Sequence, residues 1–207
     1  MGRRCERHLL SLGDFYFMDM TEKTYNASKC IVLHKVKEPF GDLLNMSSAF
    51  PMIVNGIKIR SSEALYQSLR FPFLPNVQKK IIDTASPLMA KRIISPLKGQ
   101  SRIDFDELRI DFMRWCLRVK LACNYEGVGE LLDASGNKIL VEKSPSGTFW
   151  GCSSTGNKYV GMNCLGELLM ELRDEWRKKK REEMVVVEPL NVKDFLLLGS
   201  PIQTVRN

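Results

Sequence analysis

Histidine is scarce in this chain: His8 and His34 are its two, and neither stands near a cysteine pair or an acidic cluster. A zinc site or a Ser-His-Asp triad therefore has few residues to draw on, and acid–base chemistry falls to carboxylates and lysines. Cysteine occurs at positions 5, 30, 116, 123, 152 and 164, never as a CxxC pair. With no signal peptide in evidence, these are expected to be reduced thiols in a cytoplasmic protein. No apolar run approaches the roughly 18 residues that span a bilayer, so no membrane partner is expected. Glu6 stands where a myristoylation signal carries Ser or Thr. Internal repeats and low-complexity tracts are also missing, which removes solenoids and long coiled coils from consideration. Neither a metal nor a cofactor is expected.

What is present suits an enzyme or a binding domain. The 207 residues are 44% hydrophobic and 27% charged, enough to bury a core in one domain. The formal charge of +7 favours an anionic partner. Much of the excess sits in two clusters, Arg3, Arg4 and Arg7 near the start and Arg177 to Arg181 near the end, which as a pattern are most simply solvated faces.

Along the chain, Phe15, Tyr16 and Phe17 form an aromatic patch in a mixed opening segment. Lys29–Val36 has strand character, with His34 read as a structural histidine. Asn55-Gly56 between Met52–Val54 and Ile57–Ile59 predicts a hairpin with a type I′ turn. Ser61 and Ser62 read as the N-cap of a helix through Glu63, Leu65, Tyr66 and Leu69 that stops before Pro72. Two helical stretches broken at Ser86-Pro87 follow, then a basic loop from Lys98 to Arg102. Asp104 is a candidate N-cap for a helix whose Leu108, Phe112, Trp115 and Val119 recur at helical spacing. A short helix from Val128 to Asp133 precedes a turn at Ser135-Gly136-Asn137. Met184–Glu188 and Asp194–Leu198 read as added strands. The fold class expected is α+β, a mainly helical single domain with short antiparallel strands.

Leu140 to Met170 is the most distinctive stretch. An apolar run ends at Glu142, a turn on Ser144, Pro145, Ser146 and Gly147 delivers Phe149, Trp150 and Gly151, and a loop of small residues leads to a helix opening near Asn163. That order places unpaired N–H groups and a helix dipole where an anion can sit, with an indole beside them to stack on a base or sugar. A strand, a surface loop and a core Trp are the simpler alternative.

Several separated segments resemble the NADAR family, named for links to NAD and ADP-ribose chemistry. FGDLLNM is similar to the family's YG-x-F-S-N-F and keeps Gly41 and Asn45. SSEALYQSLR resembles S-x-E-x-x-Y-x-x-x-K and keeps Ser62, Glu63, Tyr66 and Gln67. Met113, Leu117 and Lys120 match a family helix. The block LVE-x-SP…WG…G-x-N-x-LG-x-x-LM-x-x-R is met by Leu140, Val141, Glu142, Ser144, Pro145, Trp150, Gly151, Gly161, Asn163, Leu165, Gly166, Leu169, Met170 and Arg173. The resemblance runs from about residue 31 to about residue 175. It implies an N-terminal extension over 1–28, a NADAR-like domain over 29–183 and a C-terminal extension over 184–207.

The resemblance also implies an N-glycosidase that hydrolyses the C–N bond between a ribosyl phosphate or ADP-ribosyl group and a nucleobase-like amine. ADP-ribosylated or otherwise modified DNA is a further partner of that class. Glu63 and Glu142 would be the catalytic pair, one stabilising oxocarbenium character and one serving the leaving amine. Asn45, Ser62, Tyr66, Gln67, Arg70, Lys120, Trp150, Gly151 and Asn163 would bind substrate, with phosphate held by Asn163 and the loop from Gly151 to Gly161. Arg70 replaces the family's Lys, Gly147 an Asp, Phe105 a Trp and Leu44 a Ser. Because Arg stays protonated, these departures also suit a nucleotide-binding module of the same fold that cuts slowly or not at all. A third reading is a nucleic-acid-binding protein acting through its basic ends. On that third reading, DNA affinity measured against salt should fall steeply and survive replacement of Trp150.

Overall fold

The architecture follows from where the chain can turn and which faces it must bury. The computed structural model describes residues 20–84, 86–145 and 147–207. The first arginine cluster, His8, the patch Phe15 to Phe17 and Ser146 of the expected turn lie outside the described residues.

Strand β1 (Lys23–Asn26) is followed by β2 (Cys30–Leu33) and, after a 3₁₀ turn at Gly41–Leu43, by the hairpin β3 (Met52–Val54) and β4 (Ile57–Ile59). Positive φ angles at Asn55 and Gly56 make the expected type I′ turn. Helix α1 (Ser62–Leu69) is capped by Ser61, whose Oγ accepts from the Ala64 N–H. Helices α2 (Pro75–Asp83) and α3 (Pro87–Ile94) each open on proline, which lacks the N–H that a first turn leaves unpaired. Then come α4 (Phe105–Cys123), α5 (Tyr125–Ala134), β5 (Ile139–Glu142), the hairpin β6 (Ser153–Thr155) and β7 (Lys158–Gly161), and α6 (Cys164–Lys178). Helix α7 (Arg181–Met184) and the short strands β8 (Val186–Val187), β9 (Leu196–Leu197), β10 (Ser200–Pro201) and β11 (Val205–Arg206) complete the order.

The α+β class and the dominance of helix stand. Most strand pairs are antiparallel, with β7 between β1 and β6. Strands β2 and β5 pair in parallel, Leu33 opposite Glu142. A parallel pair needs a long crossover, and here the segment carrying α1 to α5 supplies it. Other expectations are corrected. His34 lies past the end of β2 and is exposed, so it is a surface residue. Asp104 occupies the N-cap position of α4 without capping it, because its carboxylate takes a two-pronged pair from Arg102. The expected basic loop is a 3₁₀ turn over Ser95–Gln100, and Arg102 is tied to the carbonyls of Lys193 and Asp194. The second basic cluster meets acids on α5 and α6: Arg177 pairs with Asp133, Arg181 with Glu126 and Lys179 with Glu175.

The larger cluster of buried side chains includes Phe112, Met113, Cys116, Leu117 and Leu121 of α4, and Tyr25, Val141 and Cys152 form a smaller one beneath the β1–β7–β6 sheet. Residues 184–207 add Met184, Val187, Phe195, Leu197, Ile202 and Val205 to the larger one. Phe195 stacks on Phe112 at 5.9 Å and meets Trp115 edge-on at 4.9 Å. Fully buried Gln78 has its amide satisfied by the carbonyls of Ser68 and Leu196 and by the Leu198 N–H. No helix among the described residues is long and apolar enough to cross a membrane.

Because the C-terminal segment shares this core, Phe195→Ala should lower unfolding free energy by about 3 kcal/mol. Urea unfolding read by circular dichroism should show one transition with a lower midpoint and an unchanged slope.

Candidate active site

Helix α1 sets the first half of the site. Glu63, Tyr66, Gln67 and Arg70 fall three, four and seven residues apart, which places them along one stripe. Glu63 is only 5% exposed, and a buried carboxylate must be given partners. Asn45 Nδ2 donates to one of its oxygens at 2.7 Å and Gln67 Nε2 to the other at 2.9 Å. The Glu63 N–H also donates to the Asn45 carbonyl at 2.8 Å. Amide donors on both oxygens hold the carboxylate plane in one orientation.

Asn45 is held in its turn by Lys120. That residue is 1% exposed, and its Nζ donates to the carbonyls of Asp42 at 2.5 Å and Leu44 at 3.1 Å. Burial pulls the Lys120 amine down to about 7, the Asp42 carboxylate acting in the opposite direction. A neutral amine still offers two N–H donors, matching two carbonyls.

Around the carboxylate runs a row of rings. Tyr66 packs at 5.3 Å from Phe105 and meets Trp150 edge-on at 5.7 Å, and Trp150 meets Phe149 edge-on at 5.0 Å. Each outer ring carries a guanidinium: Arg70 lies 3.8 Å from the Phe105 centroid and Arg109 lies 3.5 Å from that of Phe149. Arg70 also donates to Gln67 Oε1 and Ser101 Oγ, both at 3.3 Å. Burial pushes the Tyr66 phenol up and Glu63 adds to the rise, while Arg70 and Arg109 oppose it. The Cys116 thiol is raised in the same way, by burial first and then by Glu63.

The second half of the site is built on β5 and the start of α6. Asn163 is fully buried in a left-handed conformation. Its Oδ1 accepts from the Glu142 N–H at 3.0 Å and its Nδ2 donates to the Leu140 carbonyl at 2.8 Å. The Glu142 carbonyl accepts from the Cys152 N–H at 2.7 Å. Glycines permit the close approach: a Cβ on Gly151 would meet the Glu142 carbonyl oxygen at 2.4 Å, and one on Gly166 the Leu140 carbonyl oxygen at 2.2 Å.

The expected anion cradle is not made by this backbone. Residues 153–161 form the hairpin β6–β7, and the N–H groups of Met162, Asn163, Cys164 and Leu165 donate to the carbonyls of Thr148, Gly151, Phe149 and Trp150. The helix start thus grips the loop carrying Trp150 instead of presenting donors to an anion.

Of the residues singled out from sequence, Asn45, Glu63, Tyr66, Gln67, Arg70 and Trp150 form one connected set. Glu142, Gly151 and Asn163 form a second set, joined to the first through the Trp150-Gly151 peptide. Ser62 is fully buried beside Glu63 at the start of α1, and Lys120 stands behind the 41–45 turn. Sequence reasoning missed Arg109. Phe105, Arg109, Phe112 and Cys116 share the spacing of one helix face, so a basic residue inside an apolar stripe was the available signal. Two departures from the family pattern, Arg70 and Phe105, turn out to touch, a planar guanidinium stacking on a ring as lysine cannot.

A family model described as NADAR domain matches residues 16–177. The chain is 30% identical over 154 residues to N-glycosidase Npun_R5314 of Nostoc punctiforme, covering 71% of this chain and 92% of that protein. It is 30% identical over 145 residues to N-glycosidase YbiA of Escherichia coli, covering 70% of this chain and 87% of that one. The NMR structure of Escherichia coli YbiA superposes with a TM-score of 0.62 at 28% identity, over 72% of this chain and 85% of that one.

Lys120 links the site to pH. Its unfolded value is near 10.4, so between about pH 7 and about pH 10 the unfolded chain binds more protons and stability rises with pH. Replacing Lys120 by Met removes that rise, so its destabilisation should grow from about pH 6 to about pH 9. At the alkaline end it should reach about 1–3 kcal/mol, as two carbonyls lose their donor. Urea midpoints of both proteins across that range check this.

Proposed function

The chain belongs to the NADAR domain family, and from that premise we propose that it is an N-glycosidase hydrolysing the bond between a ribosyl phosphate or ADP-ribosyl group and a nucleobase-like amine. The observation that carries this reading is Glu63, a nearly buried carboxylate held by two amide donors, one helical turn from Tyr66 and two from Arg70. As the C–N bond breaks, its electron pair leaves with the nitrogen and the sugar carbon becomes an oxocarbenium centre. A carboxylate already oriented stabilises that positive charge without reorganising. Glu142 protonates the leaving nitrogen, and water adds to the sugar carbon and gives up a proton to the Glu142 carboxylate, restoring the acid. Trp150 and Tyr66 flank the sugar or base, and Asn45 and Gln67 orient Glu63. Ser62 sits beside that carboxylate, while Lys120, Gly151 and Asn163 act by fixing the backbone around the two acids.

A second reading rests on Arg70 stacked upon Phe105, where the family pattern has Lys and Trp. A guanidinium holds an anion well but cannot serve as a neutral amine, which suits an ADP-ribose-binding module with little turnover. If the ribosyl group is carried on DNA, the modified base must first leave the stack.

Glu63→Gln should reduce release of free base from a ribosylamine phosphate at least about a hundredfold, read by chromatography of the products. Unchanged turnover in that variant would remove Glu63 from the reaction. Calorimetry with ADP-ribose on the wild-type chain, paired with the product assay on the ribosylamine phosphate, separates the two readings, since tight binding without any product selects the module.

A further inference from the structure

Helix α4 carries a half-buried cation that neither acid of the site explains. Arg109 Cζ lies over the Phe149 ring, 3.5 Å from its centroid, and a guanidinium carries its N–H donors in its own plane. Among the described residues it makes no hydrogen bond and no ion pair. Its neighbours on the same helix differ. Arg114 is held by Glu171 at 2.8 Å and Asp111 at 2.6 Å, and Arg118 is held by Glu175. Across the ring row, Arg70 already donates to Gln67 and Ser101.

Position adds to the case. Burial pushes the Cys164 thiol up to about 11, and Arg109 is the leading influence against that rise. Phe149, which Arg109 covers, meets Trp150, and Trp150 meets Tyr66, so the cation sits at one end of the ring row. A partly desolvated cation with no counter-ion is costly unless a ligand supplies the anion. The N–H groups at the start of α6, the other expected anion donors, are engaged by carbonyls.

We propose that Arg109 is the phosphate-binding residue of this site, receiving the phosphate of a ribosyl phosphate on its N–H edge while Phe149 holds its plane. The choice of ribosyl phosphate as ligand rests on the N-glycosidase reading. The position of the cation does not. Arg109 thereby selects phosphorylated over phosphate-free ribosyl compounds.

The test is calorimetry on the full chain with ribose 5-phosphate and with ribose, for wild type, Arg109→Gln, Arg109→Lys and the surface control Lys58→Gln. Wild type should bind ribose 5-phosphate more tightly than ribose. Arg109→Gln should weaken ribose 5-phosphate by roughly 10- to 100-fold and leave ribose unchanged, as expected for a charged hydrogen bond. Arg109→Lys should fall between, retaining charge without the fork, and it decides the matter if the Gln variant does not fold. Lys58→Gln, which removes the same charge elsewhere, should bind as wild type. Unaltered ribose 5-phosphate binding in the Arg109 variants, or an equal loss of both ligands, overturns the assignment while leaving the N-glycosidase reading in place. Failure of the wild-type chain to bind ribose 5-phosphate overturns both.

Discussion

A carboxylate withdrawn from water has to be met by donors, and the donors that meet Glu63 connect most of the molecule. Gln67 comes from the same helix one turn on. Asn45 comes from a separate turn, and that turn holds its shape because Lys120 of α4 reaches its carbonyls. Four residues before the Lys120 register on the same helix is Cys116, and further back are Phe105 and Arg109, which close around Tyr66 and Phe149. The path from Glu63 through Asn45 and Lys120 back to Tyr66 is a closed circuit of packed groups. The C-terminal segment packs on Phe112 and Trp115 of the same helix.

The second acid depends on a different device. Glu142 ends a strand whose main chain is clamped by the amide of Asn163 and by Cys152. Asn163 can clamp from both sides because it sits in a left-handed turn, and Gly151 and Gly166 let the three backbones approach within distances that any side chain would block. The WG…G-x-N-x-LG pattern is therefore a packing solution that holds an indole and a carboxylate in register. Its physical role is positioning.

Charge follows the same division. The basic run at the end of α6 is countered by acids on the neighbouring helix and its own, so net charge is a poor guide to where an anion is received. A single arginine with no ion pair among the described residues says more than a cluster that has several.

Much of this was legible in the sequence because it is local. Asn55-Gly56 forces a hairpin, Ser61 caps a helix, Pro75 and Pro87 open two more, and the stripe on α4 declares its buried face. The stripe from Glu63 to Arg70 was legible as well, since helical spacing alone aligns it. What tertiary structure decided is everything that depends on partners distant in sequence. Asp104 was a sound N-cap until Arg102, held by the distant carbonyls of Lys193 and Asp194, took its carboxylate, and the start of α6 was a plausible anion site until carbonyls 148–151 took the N–H groups of residues 162–165. In both, contacts between residues distant in sequence decide which partner a polar group takes.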